Sequence, residues 1–214
     1  RCDHIDRNHK PQNRILFAPS WRKYLTTEIK ASNWEANEDR IRKSDYYKNF
    51  YAFLSDKTLH RKLENSKVFL DIKLHPIIAN LKNLFDIDCE YINMVSGDVD
   101  VADYKAFVTD FSSYVFDFAY LNRPIMYFVP DYPQFKSGMN HYRDLDLPFD
   151  EAFGHMFTDA HKPAECLCEI VDRDFVPEQI YAERMENFYF DFDGNCAENL
   201  YKFVVEQDKL FSQQ

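Results

Sequence analysis

The sequence predicts an α/β fold: a Rossmann-like parallel sheet with helices on both faces. Three observations carry this. Short apolar runs alternate with segments of helical spacing, in the order β-α-β-α-β-α-β. The strand runs are apolar nearly throughout, as strands covered on both faces must be. The 214 residues suffice for one such domain with a sizeable core.

The elements follow in order. "RILFAPSW" places a buried strand at about Ile15–Ala18. A polar loop follows to about Asn37. "DYYKNFYAFLSDKTLHRKLENS" carries Tyr47, Phe50, Tyr51, Leu54, Leu59 and Leu63 at helical spacing, with Asp45 as N-cap. "KVFLDIKL" is the next strand. His75-Pro76 ends it, and proline at a first helical position suits "PIIANLKNLF". "EYINMV" is strand-like, "SGDVD" a turn, and Val101–Tyr104 a helical turn. "AFVTD", "SSYVFDFAYL" and "PIMYF" follow as strand, helix and strand. After Pro130 a long aromatic loop runs to about Asp159. "KPAECLCEIVDR", "PEQIYAERMENF" and "CAENLYKFVVEQDKLF" read as helices. The polar opening run, residues 1–14, is expected to be a linker from a region upstream, and 15–214 a single domain with helices at its C-terminal end.

Composition narrows the function classes. Only four glycines occur, and no P-loop or G-x-G-x-x-G pattern is present. A formal charge of −10 argues against nucleic acid and anionic membrane surfaces as general partners. The five cysteines are irregularly spaced and read as reduced thiols of a cytosolic protein. No metal-ligand spacing is present, and neither a signal peptide nor a transmembrane span is recognised.

Ligands of open α/β sheets bind beyond the carboxyl ends of the strands. Three polar clusters fall at such ends: Ser20-Trp21-Arg22, His75-Pro76, and Asp110-Phe111-Ser112-Ser113. Ser112 and Ser113 would open a helix, where unpaired N–H groups and the dipole favour an anion, although serine is also an ordinary cap. Asp110 would shape that turn or meet a ligand hydroxyl. Asp117, four residues beyond Ser113 on the same helical face, calls for a partner among its apolar neighbours. His75 would donate to a phosphate or protonate a leaving group, and Arg22 would offer a bidentate fork. His141 lies in the long loop beside Arg143, Asp144, Asp146, Asp150 and Glu151, a run that also suits a solvated face. Asp193-Gly194-Asn195, with Glu198 beyond, would bring a second helix start to the cleft or simply make a turn and cap.

Together these motifs resemble the CDP-glycerol glycerophosphotransferases of teichoic acid and capsule synthesis. "ILFAPSWR", "KLHP", "VTDFSSYVFDFAYLNRPIMYF" and "DGNCAEN" occur in the family's order over about Ile15–Leu200, and "DFSSYVFDFAYLNRP" is the most specific. Ser20 stands where Thr is usual, Phe111 where Tyr is usual, and Asn199 where Arg tends to follow Glu. The loop "LPFDEAFGHMF" also departs from the family's pattern. The resemblance implies one half of a GT-B architecture, the donor-nucleotide domain, with the acceptor half absent. It implies His75 as the catalytic residue, and Arg22, Asp110, Ser112, Ser113, Asn195 and Glu198 as substrate-binding residues. No cofactor or metal is implied. The donor would be CDP-glycerol or a related CDP-alditol. The acceptor would be a lipid-linked polymer at the cytoplasmic face of the membrane. A GT-B glycosyltransferase using a UDP- or GDP-sugar is the alternative, and a non-catalytic nucleotide-binding module the third reading.

Overall fold

The computed structural model describes residues 2–30, 33–139, 147–189 and 195–211. Its centre is a six-stranded, all-parallel sheet of β1 (Arg14–Ala18), β4 (Phe69–Ile72), β5 (Ile92–Met94), β6 (Ala106–Thr109), β7 (Ile125–Phe128) and β8 (Gly154–Phe157). The spatial order is β5-β4-β1-β6-β7-β8. Counted within the sheet, this is the doubly wound order 3-2-1-4-5-6.

Alternation along each strand sorts the core onto two faces. Ile15, Phe17, Leu70, Ile72, Val108 and Phe128 point to one face. There they meet α2 (Asp45–Leu54), α3 (Lys57–Ser66) and α6 (His161–Asp172). Leu16, Phe107, Ile125 and Tyr127 point to the other, against α4 (Tyr114–Tyr120) and Met185 of α7 (Gln179–Phe188). Phe17, Phe50, Phe53 and Phe128 interlock edge to face at 5.1–5.8 Å between ring centres. Such pairs contribute about 0.5–1.5 kcal/mol each beyond their burial.

Side-chain caps set the helix starts. Asn37 accepts from the Arg40 N–H to open α1 (Glu38–Lys43). Ser44, not Asp45, caps α2 by accepting from the Tyr47 N–H. Asp56 accepts from the Thr58 and Leu59 N–H groups and starts α3, so the long helical stretch is two helices. His75 precedes a 3-10 helix, Pro76–Phe85, with proline at its start.

Four elements, in two segments that read as loops, were not legible as such. The polar loop before Asn37 contains an antiparallel hairpin, β2 (Thr26–Lys30) and β3 (Asn33–Ala36), whose short mixed strands give no apolar run. The loop after Pro130 contains α5 (Tyr132–Lys136) and the edge strand β8. "GHMF" reads poorly as a strand because an edge strand is covered on one side only. Its glycine is required by space: a Cβ on Gly154 would lie 1.8 Å from the Ile125 carbonyl oxygen. Gly154→Ala is expected to cost about 3 kcal/mol, because backbone, not a side chain, stands in the way. Urea unfolding of this variant measures that loss.

The segment expected to be a linker lies against the domain. Ile5 is buried, the Gln12 N–H donates to the Asp103 carbonyl, and His9 bonds Asp103 at 2.8 Å. Among the described residues, no helix is long and apolar enough to cross a membrane. His141, Arg143, Asp144, Asp146, Asp193 and Gly194 lie outside the described residues.

Candidate functional site

In a doubly wound sheet the crevice opens where the strand order reverses, here between β1 and β6. The segments leaving these two strands are tied together. Asp110 accepts from the Ser20 N–H at 2.9 Å through Oδ1, which also accepts from the Phe111 N–H. Asp110 is buried, and these two bonds tie the turn after β6 to the segment after β1.

Arg22 is placed otherwise than the sequence suggested. It is 1% exposed. Nε and Nη2 donate to the two oxygens of Asp131 at 2.6 and 2.8 Å. Nη1 donates to Asp110 Oδ2 at 2.7 Å and to the Ser20 carbonyl at 2.9 Å. The guanidinium also lies over the Tyr46 ring at 4.7 Å and the Phe111 ring at 5.0 Å. The fork expected to meet a phosphate is therefore already filled by carboxylates of the chain. Burial opposes its charge, but Asp110 and then Asp131 hold its pKa well above the ordinary value. Burial pushes the Asp131 carboxyl up, while hydrogen bonds and charge from Arg22 outweigh this and hold it below the usual carboxylate value. Asp131 and Tyr24, which donates to Asp131 at 2.6 Å, were missed in the sequence. Asp131 sits just past a strand's carboxyl end, and that position was the available signal.

His75 lies three residues past the end of β4, and Ser112 three past the end of β6. Since β1 alone separates these strands, their ends are about 10 Å apart at two strand spacings. His75 is half-buried, and its ring packs 5.9 Å from that of Trp21. Its Nδ1 accepts from the Ile77 N–H at 3.3 Å. A neutral ring held this way carries its proton on Nε2 and is a donor there. Burial first, then Lys73, lowers the His75 pKa and favours that neutral form.

Ser113 is exposed at the start of α4, and Ser112 is half-buried, its Oγ accepting from the Tyr114 N–H at 3.4 Å. Both rim a cavity of about 450 Å³ whose wall is largely apolar, including Phe135 and Phe149. A second cavity of about 390 Å³ lies beside His75, between the ends of β4 and β5, with Lys73, Lys82 and Ser96 in its lining.

The start of α8 (Cys196–Phe211) meets a carboxylate from the opening segment. Its Cys196 and Ala197 N–H groups donate to Asp3 at 3.0 and 2.8 Å, so a carboxylate of the chain already fills that helix end. Asn195 and Glu198 are exposed there, and Glu198 pairs with Lys202 at 2.7 Å. Asp117 is buried on α4 beside a different cavity, with Asp98 and Asp100. Cys166 and Cys168 are buried free thiols whose pKa values burial pushes up to about 12 and about 11. Among the described residues no group of three or more His, Cys, Asp or Glu is placed to hold a metal ion.

Residues 4–206 match the family described as CDP-Glycerol:Poly(glycerophosphate) glycerophosphotransferase. The chain belongs to this family. Among the relatives it is similar to is the minor teichoic acid biosynthesis protein GgaB of Bacillus subtilis (strain 168), 22% identical over 97% of this chain and 23% of that protein. The teichoic acid poly(glycerol phosphate) polymerase of Staphylococcus epidermidis is 27% identical, over 82% of this chain and 22% of that protein. The teichoic acid glycerol-phosphate primase of Bacillus subtilis is 26% identical, over 89% and 42%. The solved wall teichoic acid polymerase TagF superposes with a TM-score of 0.57 at 19% identity, covering 97% of this chain and 46% of TagF. That likeness is one of fold: a Rossmann-like parallel sheet flanked by helices, of the GT-B type. The chain spans less than half the length of each of these relatives and of TagF.

Proposed function

We propose that this chain is the donor-binding half of a CDP-glycerol or related CDP-alditol glycerophosphotransferase that extends a teichoic acid or capsule polymer. The observation that supports it most is the pairing of His75 and the Ser112–Ser113 turn on strands flanking β1, within a chain of this family. The gap of about 10 Å between strand ends suits a pyrophosphate held from both sides. Ser112 and Ser113 offer hydroxyls and the α4 N–H groups to one phosphate. His75, as a neutral ring, donates a hydrogen bond from Nε2–H to the other phosphate or to the departing CMP.

In the reaction, an acceptor hydroxyl oxygen attacks the β-phosphorus. The bond from that phosphorus to the bridging oxygen breaks, CMP leaves with the electron pair, and a phosphodiester forms. The catalytic work is positioning and charge stabilisation, as in other phosphoryl transfers. The lipid-linked acceptor, and the group that takes its proton, come from outside this chain. The full enzyme works at the cytoplasmic face of the membrane.

Isothermal titration of the full-length protein tests this reading. CDP-glycerol is expected to bind, and UDP- and GDP-sugars are not. Affinity for a UDP-sugar with none for CDP species would turn the assignment to a glycosyltransferase. Binding of CDP-glycerol with no CMP released when a lipid-linked polymer acceptor is also supplied would reduce it to a nucleotide-binding module.

A further inference from the structure

Beneath the proposed site lies a buried cluster of three charges, Arg22, Asp110 and Asp131, with each side chain at most 1% exposed. Two carboxylates against one guanidinium leave a net negative charge in the interior, an arrangement that is expensive unless its hydrogen bonds are complete. Here they are extensive. Every Arg22 nitrogen donates, both Asp131 oxygens accept from Arg22, and Tyr24 donates to Asp131. Ser20 and Phe111 N–H groups complete Asp110.

The cluster joins segments that follow three different strands: Ser20–Arg22 after β1, Asp110 after β6 and Asp131 after β7. None of these segments is itself regular structure, so nothing in the sheet ladder fixes their relative orientation. A planar fork does, because two parallel hydrogen bonds set direction as well as distance. The residues it orients adjoin the site. Trp21, bonded to Arg22 in the chain, packs on His75. Phe111, stacked on Arg22 and held through Asp110, leads directly into Ser112.

We propose that Asp131, acting through Arg22 and Asp110, is a positioning residue that sets the Ser112–Ser113 turn against the His75 side of the crevice. The ligand side of this inference rests on the functional reading above. Asp131 lies in the second layer, beneath the ligand surface, and exerts its effect on the turn.

The test uses the full-length enzyme with Asp131→Asn, and Tyr24→Phe as a milder second variant that removes one hydrogen bond from Asp131. In Asp131→Asn, hydrogen exchange of the backbone amides at 110–115 is expected to speed up about tenfold while β4 and β6 stay protected. KM for CDP-glycerol should rise by a similar factor. Adding Asp131→Asn to Ser112→Ala should cost no more than about twofold beyond Ser112→Ala alone, since coupled residues are not additive. Tyr24→Phe should show the same local pattern at about two- to threefold. Faster exchange spread evenly over the domain, an unchanged 110–115 segment, or effects of Asp131→Asn and Ser112→Ala that multiply would overturn the proposal. A wild-type enzyme that releases no CMP from CDP-glycerol would instead overturn the functional reading, while the exchange pattern would still decide the role of Asp131.

Discussion

Arg22→Met is expected to destabilise the protein by about 3–5 kcal/mol, because it leaves two buried carboxylates facing each other without their cation. For a chain of this size that corresponds to a fall of about 6–20 °C in Tm. The pH dependence should also invert. In the wild type, Asp131 has a folded pKa below its unfolded value. Its contribution is present above the ordinary carboxylate pKa of about 3.9 and is lost as pH falls through the folded value. Without Arg22, burial raises the Asp131 carboxyl pKa above that of the unfolded chain. The penalty is then greatest near neutral pH and is relieved on acidification. Thermal melts of the two proteins between pH 7 and pH 4 give the answer. A variant that melts like the wild type across that range would show that the cluster carries no net stability.

His75→Ala should lower CMP formation by the full-length enzyme by about 10²–10³, the range for removing one positioned hydrogen-bond donor that stabilises developing charge. The cap at Pro76–Phe85 complicates that variant, since His75 Nδ1 accepts from the Ile77 N–H. His75→Asn separates the two roles. Asparagine is a good cap, so stability should hold within about 1 kcal/mol while activity stays low. The wild-type rate carries a pH signature as well. Burial and Lys73 place the His75 pKa below its usual value. If the neutral ring is the working form, activity should persist below pH ~6.5 and fall only as the depressed pKa is crossed. Near-wild-type activity of His75→Asn would remove His75 from the chemistry.

The sheet and its order of elements were legible because β1, β6 and β7 are apolar on both faces and β4 on all but its buried Asp71, and few other structures require that. The Ser112–Ser113 turn and His75 were legible as polar clusters at strand ends. Three features were not. The hairpin β2–β3 is short and half polar, and β8 is an edge strand whose exposed side carries polar and small residues. The third was the fate of Arg22. Sequence shows a cation at a strand end, but it does not show that Asp131, 109 residues on, has already claimed it. The helix end at Cys196 failed in the same way, since Asp3 reaches it from 193 residues away. Long-range charge partners leave no local pattern, so cations and helix ends at a sheet edge are recognisable as candidates while their occupancy is decided by the fold.

A CDP-linked polyol is expected to lie across the carboxyl ends of β4, β1 and β6. A crystal structure of the full-length enzyme soaked with CDP-glycerol addresses it most directly. The account predicts pyrophosphate density with Ser112 and Ser113 on one side, His75 Nε2 on the other, and Arg22 still bound to Asp110 and Asp131. Pyrophosphate bound elsewhere, or Arg22 released from its carboxylates to grip it, would contradict the account.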